Sequence, residues 1–173
     1  KRVLIIGLGK IGMEYDIKLD AKKFCLTHAR AFEMHRDFEL AGGVDPDENQ
    51  RKRFEAIYKK LSYKSLEQAL NEVNPDVVVV ANPTEQHLKT IEIVLSICTP
   101  KAILCEKPLA YNIEDARLIT QRCKQSNTLL AVNYMRRSDK GVKTIKDMIE
   151  SNAIEKPIKC IVWYSKGWLH NGS

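Results

Sequence analysis

Apolar residues fall in short runs, separated by polar stretches that keep a helical period. Val3–Ile6 is one such run and breaks directly into Gly7-x-Gly9-x-x-Gly12. Phe38–Val44 is a second run, ending at Asp45, and Leu61–Tyr63 predicts a short strand. Asp76–Ala81 (DVVVVA) is nearly continuous and β-branched, the pattern of a central parallel strand buried on both faces. Ala102–Cys105 and Thr128–Asn133 predict two more strands. Helices are predicted between them at Arg51–Lys60, Leu66–Val73, Glu85–Ile97 and Ile113–Gln125. Thr84 and Asn112 are placed to cap the last two. Strand and helix in alternation predict an α/β fold with a doubly wound parallel sheet and right-handed crossovers.

One stretch interrupts this rhythm. A helix leaving the glycine turn is expected to continue as far as Met34, yet Glu14–Thr27 is charged and weakly periodic. It reads as an insertion, with the helix resuming near His28–Met34. A lid, an interface element and a solvated loop are all open to it, and the solvated loop is the default for such a composition.

The pattern changes again from Ser138. Val142–Ser151 predicts a helix with Val142, Ile145, Met148 and Ile149 on one face, and Pro157–Tyr164 predicts a strand. A single strand cannot make a domain. Residues 1–137 are therefore expected to form one domain and residues 138–173 to begin a second of a different kind, with the chain continuing beyond Ser173.

Composition narrows the function classes. The 173 residues are 44% hydrophobic and 29% charged, in the range of soluble globular proteins. No apolar run approaches the ~20 residues that cross a bilayer, and the first run is better read as a strand than as a targeting signal. The net charge of +6 is spread along the chain without aromatic platforms, which argues against a nucleic-acid binder. Five dispersed cysteines with no C-x-x-C suggest reduced thiols and a cytoplasmic location. The four histidines have no metal-ligand spacing, so no metal is expected.

Three places carry candidate chemistry. The turn from Gly7 through Gly9, Lys10, Ile11 and Gly12 would bring backbone N–H groups and a positive helix end to a pyrophosphate; an ordinary βα turn is the plainer alternative. Asp45, after the second strand, can accept from both ribose hydroxyls and would repel a 2′-phosphate, so NAD is expected over NADP. A turn aspartate in Asp45-Pro46-Asp47 is its plainer reading. Glu106-Lys107-Pro108 follows a strand at the carboxyl edge, where such sheets bind ligands. A lysine beside a nicotinamide would be desolvated and close to positive charge, and both effects lower its pKa and fit it for proton relay.

The order of these pieces is informative. GLGKIG comes first, then Asp45, Asn82-Pro83-Thr84 with His87, Leu104-Cys105-Glu106-Lys107-Pro108-Leu109-Ala110, and Asn133-Tyr134-Met135-Arg136-Arg137. This series resembles the glucose–fructose oxidoreductase/inositol dehydrogenase/MocA family over nearly the whole chain. The resemblance implies a Rossmann domain followed by an α/β domain with a mainly antiparallel sheet. It also implies NAD(P)-dependent oxidation or reduction of a sugar or polyol, and a homo-oligomer formed through the second domain.

By position, the resemblance makes Asn82, Pro83, Thr84 and His87 line the dinucleotide. Glu106 would organise the nicotinamide side, Asn133 and Arg136 would flank the cleft, and Lys107 would be catalytic. Family enzymes carry a further catalytic motif, Asp-x-Gly-x-His, in the second domain. The matching stretch here is His170-Asn171-Gly172-Ser173, with His170 in the aspartate's place. A non-catalytic dinucleotide sensor of the same fold is the alternative to an enzyme.

Overall fold

The structure, a computed structural model, describes residues 1–155, Lys159 and Ile161. The chain divides into two compact units, Lys1–Tyr134 and Met135–Ser173. In the first unit the strands are β1 (Arg2–Ile6), β2 (Glu39–Val44), β3 (Ser62–Tyr63), β4 (Val77–Val80), β5 (Ala102–Cys105) and β6 (Leu129–Val132). They form one 6-stranded sheet in the order β3-β2-β1-β4-β5-β6, and every pairing is parallel. The strand order reverses between β1 and β4, which opens a crevice at the carboxyl edge. The expected doubly wound parallel sheet is therefore present. The expected strand at Pro157–Tyr164, and with it the antiparallel sheet, lies outside the described residues.

The helices of this unit are α1 (His28–Met34), α2 (Glu48–Tyr58), α3 (Leu66–Val73), α4 (His87–Ile97) and α5 (Ile113–Gln125). Alternate residues of β1 face opposite layers, as a strand's period of two requires. Val3 and Ile5 pack with Ala29, Phe54 and Tyr58 of α1 and α2. Leu4 and Ile6 pack with Leu70, Ile91, Val94 and Ile119 of α3, α4 and α5. All four residues of β4 are buried, as expected of a strand covered on both sides. Edge strand β6 is half exposed, and Leu129 keeps 67% of its surface accessible.

Caps explain where the predicted helix bounds shift. α2 begins at Glu48 rather than Arg51, because the Asp47 side chain accepts from Asn49 N at 2.8 Å. It stops at Tyr58, where Lys59 turns left-handed at φ 56°. Thr84 does not cap α4. A 3₁₀ turn, Thr84–Gln86, comes first, and Gln86 N donates to the Pro83 carbonyl, so α4 starts at His87. Asn112 caps α5 as expected, accepting from Asp115 N at 2.7 Å.

The segment after the glycine turn is a single wide turn of helix. Residues Lys10–Glu14 form one π-helical turn in which the Gly9 carbonyl accepts from Met13 and Glu14. The inserted stretch then leaves and returns to α1. Its crown, Lys18–Leu26, is exposed as a solvated loop would be, but its root is not. Asp16 is fully buried, and its carboxylate accepts from Leu26 N (2.7 Å), Thr27 N (2.9 Å) and Thr27 Oγ1 (2.9 Å). Arg30 Nε stands 3.5 Å from the same group. Glu14 takes Arg53 and Gln50 of α2 at 2.6 and 2.9 Å.

In the second unit, α6 (Lys140–Glu150) is capped by Asp139, whose side chain accepts from Gly141 N. Val142, Ile145 and Met148 on it are exposed, and Ile149 is half-buried. Among the described residues no helix is long and apolar enough to cross a membrane.

Candidate dinucleotide and catalytic site

The carboxyl edge of the sheet collects most of the expected site residues of the first unit. β1 ends in Gly7, whose N–H donates to the Val44 carbonyl at 2.8 Å. Gly7 has φ +94°, and a Cβ there would stand 2.6 Å from Asn82 N. A Cβ on Gly12 would run into the Gly7 carbonyl oxygen. Both positions accept glycine alone, for reasons of close backbone approach. Around Gly9 the situation is opposite, with nothing within 4 Å of where a Cβ would stand. Lys10 is exposed and Ile11 half-buried beside that opening.

Asp45, 9% exposed, is tied to the same turn. Its Oδ2 accepts from Leu8 N and its Oδ1 from Asp47 N, both at 2.8 Å. Each carboxylate oxygen keeps a second lone pair, so two ribose hydroxyls can still be accepted. The plainer reading of Asp45 as a turn residue is thus part of the picture, since Asp47 N is an ordinary turn donor. Arg51 returns to the same corner, donating to the carbonyls of Asp45 and Pro46 at 2.8 and 2.9 Å. An open Gly9, a fixed acceptor at Asp45 and the strand-order reversal on the other side of β1, between β1 and β4, fit a dinucleotide.

The β4 end is organised around His87. Its ring is 1% exposed, with Nε2 3.0 Å from the Asn82 carbonyl and Nδ1 3.1 Å from the Leu109 carbonyl. His87 therefore holds the loop after Lys107-Pro108 against the end of β4. Asn82 Nδ2 donates to Thr90 Oγ1 at 2.8 Å. Pro83 is exposed and Thr84 half-buried in the 3₁₀ turn. Cys105 Sγ lies 3.3 Å from His87 Nδ1. Burial, and then the Glu106 charge, push its thiol up to about 12, so it stays protonated.

Glu106 is the centre of the second cluster. It is 8% exposed. Its Oε1 receives His28 Nε2 at 2.8 Å and Asn133 Nδ2 at 2.6 Å, and its Oε2 accepts from Lys107 N at 3.3 Å. Burial alone would raise its pKa. Hydrogen bonds from His28 and Asn133, with the histidine's charge and the Lys107 N–H, outweigh burial and hold it below the ordinary glutamate value. Glu106 is thus an ionised acceptor with three donors from α1, β5's end and β6's end.

One expectation is revised here, and one residue joins the cluster. Lys107 is exposed, so the Rossmann unit by itself does not supply the desolvation expected of it. His28 had no role in the sequence reading beyond its lack of metal spacing, yet it is buried on Glu106. A signal for it existed: β1 ends at the carboxyl edge, so the first turn of the helix that follows must sit there too. Arg136 lies in the second unit, in the 3₁₀ turn Met135–Ser138. His170 lies outside the described residues.

A parallel sheet with strand order 3-2-1-4-5-6, a glycine turn at the reversal and a carboxylate closing β2 define a Rossmann dinucleotide-binding unit. The chain belongs to the Gfo/Idh/MocA family, described as "Oxidoreductase family, NAD-binding Rossmann fold", which matches residues 1–134. It is 28% identical over 157 residues to myo-inositol 2-dehydrogenase of Thermotoga maritima, covering 90% of this chain and 42% of that protein. Against D-xylose 1-dehydrogenase [NADP(+)] of Haloarcula marismortui it is 27% identical, covering 91% and 41%. The crystal structure of a probable dehydrogenase from Thermotoga maritima superposes with a TM-score of 0.77 at 25% identity, covering 91% of this chain and 43% of that one. The chain thus spans less than half the length of the relatives it matches.

Proposed function

We propose that this chain is the cofactor-binding part of an NAD-dependent oxidoreductase acting on a hydroxyl of a sugar, sugar derivative or polyol. Residues 1–137 would bind the dinucleotide, and 138–173 would begin a substrate and oligomerisation domain. The observation that carries the reading is the ionised Glu106 held by three donors immediately before Lys107, on the same sheet edge as the glycine turn. When bound, the nicotinamide would supply the hydride acceptor or donor.

The chain's own residues do the rest. Gly7, Gly9 and Gly12, with Lys10 and Ile11, shape the backbone that meets the pyrophosphate. Asp45 accepts from the ribose, and its negative charge favours NAD over NADP. Asn82, Pro83, Thr84 and His87 build the wall at the end of β4. Lys107 takes or returns the proton of the reacting hydroxyl. Glu106 and Asn133 keep its backbone in place, and the family resemblance adds Arg136 to the cofactor-binding candidates and His170 to the catalytic ones. Polyol names among the relatives, such as myo-inositol 2-dehydrogenase, support the substrate class. The location is cytoplasmic, and the assembly is a homo-oligomer.

NADH titration of the full-length protein, followed by an NAD-linked screen of polyols and sugars, tests this. Binding with turnover of at least one substrate is expected. A sensor is the second reading, favoured by the exposure of Lys107. NADH binding with no turnover of any polyol or sugar would support it instead.

A further inference from the structure

The Glu14–Thr27 insertion and the Glu106 cluster meet at one peptide. Buried Asp16 holds Thr27 through its N–H and its hydroxyl. Thr27 is the N-cap of α1, its hydroxyl accepting from Arg30 N. His28, the next residue, is 7% exposed and reaches across to Glu106 Oε1. A short helix of seven residues has little intrinsic stability, so its first turn depends on what holds its start. Here that hold is a buried carboxylate from the insertion.

We infer that His28 is a positioning residue for Glu106, and that the root of the insertion, Asp16 with Thr27, is the mount that keeps His28 in place. The inference deepens the proposed dehydrogenase reading and rests on it only where turnover is concerned. The insertion then has a task in the site although its crown is exposed and charged. The path runs Asp16, Thr27, His28, Glu106, Lys107 N, each link a hydrogen bond or a peptide bond. His28 acts through Glu106 and needs no contact with a ligand. The groups that face Glu106 are His28 from α1, the Lys107 N–H beside it, Asn133 just after β6 and the Cys105 thiol.

The test uses the full-length protein and ¹³C-carboxyl NMR titration of Glu106, with NADH affinity and turnover measured in parallel. His28→Phe fills the space without a donor, His28→Gln keeps a donor, and Asp16→Asn weakens the mount while leaving His28 unchanged. In wild type, Glu106 should titrate below an ordinary glutamate. In His28→Phe it should move up by about one unit, with kcat falling about tenfold and NADH affinity changing less than about threefold. His28→Gln should recover part of both, a rescue that a merely space-filling role would not give. Asp16→Asn should move Glu106 in the same direction by a smaller amount.

If His28→Phe does not fold, as judged by circular dichroism, the His28→Gln and Asp16→Asn titrations still decide. An unmoved Glu106 in every folded His28 variant would overturn the positioning role. A shift in the His28 variants but none in Asp16→Asn would overturn the mount. Wild-type protein that shows the Glu106 shift without binding NADH would instead defeat the dehydrogenase reading and leave this one standing.

Discussion

Two corners of the same sheet edge are built in different ways. At the β1–β2 corner the chemistry comes from backbone: Gly7, Gly9 and Gly12 lie within six residues, and Asp45 joins them through Leu8 N. At the β5–β6 corner it comes from side chains: Glu106, His28 and Asn133 arrive from three distant parts of the chain. At Gly7 and Gly12 the first corner is intolerant of an added atom, because the contacts there are backbone against backbone. The second depends on every donor, because a buried carboxylate left short of partners is costly. Substitutions should therefore act mainly through shape at one corner and through charge and hydrogen bonding at the other.

The strongest challenge to this contrast is steric. Gly12→Ala or Gly7→Ala should destabilise the protein by about 3 kcal/mol or more and abolish NADH binding, since the new Cβ meets backbone that cannot yield. Urea unfolding and NADH fluorescence titration measure both. Near-normal stability in either variant would remove the distinction between the corners.

Next in size is Lys107→Met in the full-length protein. It should lower kcat by ~10²-fold or more with NAD affinity nearly unchanged, because Lys107 would act in proton transfer rather than binding. Steady-state kinetics alongside calorimetry separates the two effects, and turnover within a few-fold of wild type would take Lys107 out of the mechanism.

Cofactor choice sharpens the first corner. Wild type should bind NAD(H) more tightly than NADP(H), and Asp45→Asn should shrink the difference about tenfold by removing the charge that faces a 2′-phosphate. Calorimetry with both cofactors decides it. Equal or tighter NADP(H) binding by wild type would reject Asp45 as the discriminator and turn attention to Arg51, whose guanidinium already lies at this corner.

The smallest effect probes the second corner by pH. The folded-state pKa of Glu106 is lowered, so its ionised form stabilises the fold above the ordinary glutamate value of about 4.3. That contribution is lost as pH falls from there through the folded-state value. Glu106→Gln should consequently lose less stability than wild type between neutral pH and about pH 3. Urea midpoints at both pH values give the comparison, and parallel losses in the two proteins would mean that Glu106 is not held ionised by its donors.

Much of the first corner was legible along the chain. A β-branched run entering three spaced glycines dictates a strand and a tight turn through local sterics, and those forces act over a few residues. The β-run of Val77–Val80 announced a strand covered on both sides in the same way, and Asn112 announced the start of α5. Thr84 shows the limit of such signals, since Pro83 and its 3₁₀ turn decided where α4 begins.

The partners of His28 and Asp16 were not legible, although the order of β1 and α1 already put His28 at the carboxyl edge. A histidine after a charged loop has no local pattern that points to Glu106, and Asp16 looks like one more polar residue of a solvated segment. Local sterics and hydrophobic period set the strands, the glycine turn and the parallel order of the sheet. Only the folded chain decided which donors surround Glu106 and that the insertion has a buried root. Those pairings depend on desolvation and on groups brought together across the whole sheet, and neither is a property of neighbouring residues.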